Sequence, residues 1–185
     1  MIEVHRLVKM DDSVLKSLES GYESMEYYRV AKSETPERTE IVLSLTRHPA
    51  LYQKHWEITP EDRERYDQVV MEGHSFGAYD GEKLVAVALA EVRSWNRTLW
   101  IWEFHVTESH KRQGIGRKLM DILAEEARIL QLRTMLVETQ NTNLPAIRFY
   151  RAVGFEIESV DLSYYTNHDT LDGEVAIFMK RKVES

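Results

Sequence analysis

The chain has 185 residues, 43% of them hydrophobic, which is enough to bury one good core and too little for two full domains. It has no cysteine, which excludes a disulfide framework, a thiolate nucleophile and a cysteine metal site. A net charge of −7 and a pI near 5.5 argue against nucleic acid as a general partner and are compatible with a cationic substrate. The N-terminus carries no apolar leader-like run, and no segment approaches the length of a membrane span, so a cytoplasmic protein without a membrane partner is expected.

In chain order, Ile2 to Leu7 alternates apolar Ile2 and Val4 with Glu3 and His5, which predicts a short strand. Asp11 to Val30 reads as one or two helices, capped by Asp11 or Asp12 and interrupted at Gly21. Thr35-Pro36 reads as a helix start, with Ile41, Val42 and Leu45 as its apolar face up to His48-Pro49. Thr59-Pro60-Glu61-Asp62 repeats that signal, for a helix ending near Gly73. The aromatics Tyr22, Tyr27, Tyr28, Tyr52 and Trp56 read first as packing or surface residues.

From Ser75 the pattern changes to strands. Ser75–Tyr79 and Leu84–Val92 flank Asp80-Gly81, a hairpin signal. Asn96-Arg97 turns the chain into an aromatic and β-branched strand from Leu99 to Val106. A basic loop leads to Gly114-Ile115-Gly116 and to an amphipathic helix whose stripe is Ile115, Leu119, Ile122, Leu123 and Leu130. Thr134 to Thr139 is a further strand. Asn143 can cap a short helix through Val153, with Pro145 in its first turn and Gly154 ending it. Phe155–Tyr165 and Glu174–Lys180 are the last two expected strands, joined by a polar loop over Asn167–Gly173. The result is an α/β (α+β) chain with a mixed central sheet and helices on both faces.

Strand, glycine loop and helix start together make a cradle for an anion. Glycine lets a ligand approach the backbone, and the first turn of a helix has unpaired N–H groups and the positive end of its dipole. Lys111, Arg112 and Arg117 gather at the same place in an otherwise acidic chain. A dinucleotide-binding turn would require G-x-G-x-x-G and an acid about 20 residues on. Glu138 stands at about that distance, but Leu119 occupies the third glycine position, which disfavours that reading.

The run K-R-Q-G-I-G, from Lys111 to Gly116, resembles the acetyl-CoA loop of the GNAT acetyltransferase superfamily. Lys111 stands where that family usually has Arg or Gln. The resemblance is strengthened downstream by Asn143-x-x-Ala146-x-x-Phe149-Tyr150-x-x-x-Gly154-Phe155. Within the superfamily, Trp95-Asn96, Glu103, the run LVETQNTNLPAIRFYRAVGFEI, Asp161, Tyr165 and EVAIFM resemble streptothricin acetyltransferases, over about Ser75 to Lys180. Trp102 replaces an acidic residue common in that branch.

The resemblance implies a single GNAT domain over 1–185, with a helical acceptor-side region over 1–73 and an acetyl-CoA-binding core over 74–185. It implies a mixed sheet of about six to seven strands, acetyl-CoA as co-substrate, and a primary amine of a small cationic molecule as acceptor, streptothricin among them. Phe104, His105 and Val106 would line the acyl end. Lys111, Arg112, Gln113, Gly114, Ile115, Gly116 and Arg117 would surround the pyrophosphate, with Asn143, Ala146 and Tyr150 also on the cofactor side. Tyr150 is the implied proton donor to the leaving thiolate, since a phenol with an ordinary pKa of about 10 can supply that proton. Asp161 and Tyr165 join Glu103 as acceptor-binding candidates, and a homodimer is compatible with the pattern.

Strand alternation places Trp100, Trp102, Phe104 and Val106 on one side and Ile101, Glu103 and His105 on the other. A carboxylate there must face a cleft or a cation. Glu103 therefore either binds and deprotonates the acceptor amine or pairs structurally with an arginine such as Arg93. His105 and His110 make no metal spacing with other ligands, so no metal is expected. Two other functions stay open: acetylation of a protein lysine or N-terminus, and acyl-CoA sensing without turnover.

Overall fold

The structure, a computed structural model, describes residues 1–11, 14, 16, 17 and 21–183. Its elements are β1 (Ile2–Arg6), β2 (Gly21–Thr35), β3 (Arg38–His55), α1 (Pro60–Met71), β4 (Phe76–Asp80), β5 (Lys83–Arg93) and β6 (Thr98–Val106). They continue with α2 (Ile115–Ile129), β7 (Thr134–Gln140), α3 (Leu144–Ala152), β8 (Glu156–Asp161), the four-residue α4 (Asp169–Asp172) and β9 (Ala176–Lys182). The chain divides into two compact units, one of Met1–Ser20, His55–Val137 and Arg181–Ser185, the other of Gly21–Lys54 and Glu138–Lys180.

In the first unit the strands run in the order β1-β4-β5-β6-β7. The first three pairings are antiparallel, and β6 pairs parallel with β7 over Thr98–Ile101 and Thr134–Val137. The mixed direction follows from the connections. Gly81 (φ +61°) allows the two-residue turn that joins β4 to β5, whereas a parallel pair needs the crossover that α2 supplies. Along β5, Val85, Val87 and Leu89 alternate with Ala86, Ala88 and Ala90, and all six are buried. Helix α1 lays Tyr66, Val69 and Val70 against Val87 and Leu89, together with Leu7, Met10 and Val14. Its start is fixed by a capping box: the Asp62 N–H donates to Thr59 Oγ1 (3.1 Å), and the Thr59 N–H donates to Asp62 Oδ2 (3.2 Å). Helix α2 contacts β4, β5 and β6 through a stripe of Ile115, Leu119 and Leu123. The stripe is one turn shorter than its spacing suggested, because α2 ends at Ile129 and Leu130 is exposed.

In the second unit the strand order is β7-β9-β8, with β8 and β9 antiparallel, and β2 and β3 form a separate two-stranded sheet. Asn143 caps α3 as expected, its Oδ1 accepting the Ala146 N–H at 3.2 Å. Asn141 is buried and fully engaged. Its side chain donates to the Tyr28 and Gly173 carbonyls (2.8 and 3.2 Å) and accepts the Val175 N–H (2.7 Å). Its own backbone N–H donates to the Val175 carbonyl, and the Tyr28 N–H donates to its carbonyl. Between them the units hold seven strands of mixed direction, besides the β2–β3 pair.

The helices expected over 11–30 and after Pro36 are corrected by β2 and β3. Val14, Lys16 and Ser17 are helical, and Asp11 Oδ1 accepts the Val14 N–H (3.1 Å) as a cap would; Asp12 lies outside the described residues. From Gly21 the chain is strand. Pro36 does not start a helix but stands with Glu37 in the turn between β2 and β3. Proline's fixed φ suits the first helical position and the second turn position equally, so the residue alone does not separate them. The surrounding Tyr, Thr, Val and Ile favour the strand.

Candidate active site

Within the first unit the site is built on β6 and the loop that follows it. The β5–β6 ladder shifts register between Leu89, opposite Glu103, and Ala90, opposite Ile101, so Trp102 is the extra residue of a bulge. The simple alternation predicted along this strand breaks at that residue. Trp102 and Glu103 both meet side chains of α1. Trp102 lies under the Arg65 guanidinium (5.1 Å to the ring centre), and Glu103 accepts the Tyr66 O–H. Glu103 Oε2 is also 2.8 Å from His105 Nε2. Its pairing with Arg93 does not occur. Arg93 lies over Trp100 at 3.7 Å and beside Glu91, whose Oε2 accepts the Trp102 indole N–H at 2.6 Å.

Glu103 and His105 are therefore a part-buried pair with side chains 18% and 15% exposed. Tyr66 is buried beneath them. Burial first, and then the Glu103 carboxylate, push its phenol far above its ordinary value, so it stays a neutral donor. The Trp56 ring stands 6.0 Å from His105, which takes this aromatic out of mere surface packing. Neither Tyr66 nor the contact with His105 was singled out from sequence. The signal available was the i, i+2 placement of Glu103 and His105 on one strand face.

After β6 a short 3-10 turn over Glu108–His110 opens the loop. Lys111 pairs with Glu108 (2.5 Å) and holds that exposed carboxyl below its usual range. Gln113 Nε2 donates to the Ser109 carbonyl (2.9 Å), and Thr107 and Ser109 hydroxyls flank His110 Nδ1 at 3.1 and 2.9 Å. Arg112 (φ +61°) and Gly114 (φ +81°) take left-handed backbone on either side of Gln113. This is how the chain reverses sharply onto the start of α2, with Gly114 as N-cap.

No side chain caps α2, and a Cβ built on Gly114 would meet nothing within 4 Å. The first-turn amides have no partner within the helix, and Arg117, Lys118, Asp121, Ile122 and Glu125 line an open groove beside Gly114. The backbone at this point suits a bound diphosphate. Among the described residues no group of three or more His, Asp or Glu side chains is placed to hold a metal.

In the second unit Tyr150 is buried on α3, its ring 5.6 Å from Phe149 and 5.7 Å from Phe155. The Tyr165 O–H donates to Glu138; the residue is 36% exposed, and partial desolvation of the phenol, followed by that carboxylate, raises its pKa. Asp161 Oδ1 accepts the Ser163 N–H (3.0 Å) in the turn that leaves β8. The aromatics of β2 and β3 form a row, with His48 stacked between Tyr27 (4.2 Å) and Tyr52 (4.9 Å), and Tyr22 6.1 Å from Tyr52. Tyr22 meets Thr142 Oγ1 at 2.6 Å, while Tyr52 and Lys54 both reach the Glu174 carboxylate. This polar set was invisible while 11–48 read as helices.

A family model described as Acetyltransferase (GNAT) family matches residues 41–155, more than half of the chain, and the chain belongs to that family. A streptothricin acetyltransferase of Streptomyces lavendulae is 35% identical over 100 residues, covering 54% of this chain and 52% of that protein. A [ribosomal protein bS18]-alanine N-acetyltransferase of Escherichia coli (strain K12) is 33% identical over 98 residues, covering 52% of this chain and 63% of its own. The chain spans about half the length of the curated streptothricin relatives it matches.

Among solved structures, a nourseothricin acetyltransferase superposes with a TM-score of 0.74 at 24% identity, over 99% of each chain. A Bacillus anthracis str. Ames protein solved in complex with acetyl coenzyme A gives 0.73 at 18% identity, over 100% of this chain and 98% of that one. These likenesses establish the fold. No helix of the described residues is long and apolar enough to cross a membrane.

Proposed function

We propose that this chain is an acetyl-CoA-dependent N-acetyltransferase, working as one domain, that acylates a primary amine of a small cationic molecule. The observation that carries the reading is the uncapped start of α2. Gly114 holds a backbone turn that only glycine adopts without strain, the space a Cβ would take there is open, and Arg117 and Lys118 line the groove beside it together with Asp121 and Glu125. Gln113, Gly114, Ile115, Gly116 and Arg117 would take the pyrophosphate, with Lys111 and Arg112 at its rim. Phe104, His105 and Val106 would line the acyl end. Asn143 and Ala146 order the start of α3, and Tyr150 would protonate the departing thiolate. Glu103, Asp161 and Tyr165 are assigned to the acceptor. The relative bound to acetyl coenzyme A and the streptothricin acetyltransferase relatives support the cofactor and the first acceptor to try.

Streptothricin is favoured over an aminoglycoside or free lysine on the strength of those relatives. Charge attraction alone would not separate these cations, because surface electrostatics mainly sets encounter rate. The likeness to a ribosomal-protein alanine acetyltransferase supports a second reading, a protein N-terminus as acceptor. The test is CoA thiol release with streptothricin, an aminoglycoside, free lysine and an N-terminal alanine peptide. Streptothricin well above the others is expected. Release with the peptide alone would move the acceptor to protein, and no release with any amine would leave an acyl-CoA sensor. Tyr150→Phe should lower turnover at least about tenfold with acetyl-CoA affinity kept.

A further inference from the structure

An acceptor ammonium is recognised by direction as well as by charge, so the carboxylate that receives it must be held in one orientation. Resting on the acetyl-transfer reading, with Glu103 as its acceptor carboxylate, we infer that Tyr66 is the positioning residue that sets this orientation. The Tyr66 O–H donates to Glu103 Oε1. Glu103 Oε2 lies 2.8 Å from His105 Nε2. A carboxylate offers about four acceptor sites, so these two contacts leave lone pairs over. The side chain keeps 18% of its surface exposed, and through that surface an ammonium can reach it.

Among the described residues no lysine or arginine pairs with Glu103; its contacts are a phenol and an imidazole. The nearby Arg65 is directed to Asp62 and to the rings of Tyr66 and Trp102 (5.5 and 5.1 Å). A part-buried carboxylate without a resident cation of fixed charge keeps its own charge for a cation that arrives. Tyr66 suits the task of holding it. Burial first, and then the Glu103 carboxylate, keep the phenol a neutral donor. Its ring is anchored in the core cluster with Leu7, Val69, Val70, Val87 and Leu89. The capping box at Thr59 fixes the start of the helix that carries it. The register shift at Trp102 sets Glu103 opposite Leu89, a member of the same cluster. Donor and acceptor are thus both fixed by packing within the first unit.

The experiment is a double-mutant cycle read in steady-state kinetics. Tyr66→Phe removes the O–H and keeps the ring. KM for the best acceptor amine should rise about tenfold, the worth of one hydrogen bond to a charged group, with kcat within about threefold and acetyl-CoA affinity by calorimetry unchanged. Placed in Glu103→Ala, the same substitution should change kcat/KM by less than about twofold, because its effect passes through the carboxylate. An unchanged KM in Tyr66→Phe, or an equal loss with and without the Glu103 carboxylate, overturns the assignment and leaves acetyl transfer standing. Absence of transfer by the wild type with every amine would remove the acetyl-transfer reading and this inference with it. If Tyr66→Phe does not fold, Glu103→Asp decides, since it keeps the charge and draws it away from the phenol. It should reproduce the rise in KM, and a wild-type KM there overturns the assignment.

Discussion

Two stretches of this chain are rich in apolar residues, and they use them in opposite ways. Along β6 and α2, Leu99, Trp100, Ile101, Ile115, Leu119, Met120 and Leu123 are all buried. Along β2 and β3, Met25, Ile41, Val42, Leu45 and Leu51 are exposed, with Leu45 and Val42 at about half of their full surface. Apolar spacing locates an element when there is a core for it to face. On a two-stranded ribbon with solvent on its outer side, the same spacing carries little information. The ribbon is instead held by polar bonds where it meets the end of β7, through Asn141 and through Tyr22 with Thr142.

The contrast predicts unequal costs for the same substitution. Leu119→Ala empties a fully buried position on α2 and should destabilise the protein by about 3 kcal/mol in urea denaturation. Leu45→Ala should stay within about 0.5 kcal/mol. A comparable loss at Leu45 would break the comparison and show that the ribbon's outer face is covered in solution.

A polar counterpart inside the first unit is Glu126 on α2, buried under a fork from Arg6 (2.8 and 2.9 Å) with His74 Nδ1 at 2.8 Å. The Arg6 hydrogen bond is the main cause of its lowered pKa. Since the folded value lies below the unfolded value of about 4.3, the pair stabilises the fold above that pH and stops doing so as the pH falls through the folded value. Glu126→Gln should cost about 2 kcal/mol at pH 7, and its difference from the wild type should begin to shrink below about pH 4.3 and close once the pH has fallen past the folded value. An unchanged gap down to pH 3 would assign the loss to packing. Smaller still is the capping box of α1, where Thr59→Ala should cost about 1 kcal/mol in the same denaturation series. No change there would mean that proline and the tertiary contacts of Tyr66 alone set the helix start.

Much of the first unit, and the start of α3 in the second, was legible in the sequence for physical reasons of local chemistry. The Asp80-Gly81 turn, the Thr59-Pro60 helix start and the Asn143 cap are local chemistry, and each appears where its residues stand. The ribbon was not legible, because Thr35-Pro36 serves a turn as well as a helix and because its partners at Asn141 and Glu174 are more than a hundred residues away. In the candidate site, the glycine loop could be read because glycine's freedom of φ is a local property. Glu103 could be picked out as a carboxylate in an aromatic strand, but its partners could not. The bulge at Trp102 depends on β5, and Tyr66 arrives from a helix 37 residues earlier.

The account rests on acetyl-CoA being held at the start of α2, and calorimetric titration of acetyl-CoA into the wild-type protein and into Gly114→Val tests it most directly. A Cβ at Gly114 meets no atom within 4 Å, but a valine resists the left-handed backbone and would stand where the diphosphate must approach. The predicted result is saturable binding by the wild type, with a matching rise in its thermal midpoint, and at least a roughly hundredfold weaker affinity in a folded Gly114→Val variant. Wild-type protein that binds neither acetyl-CoA nor CoA, or a Gly114→Val variant that binds as tightly, would contradict it.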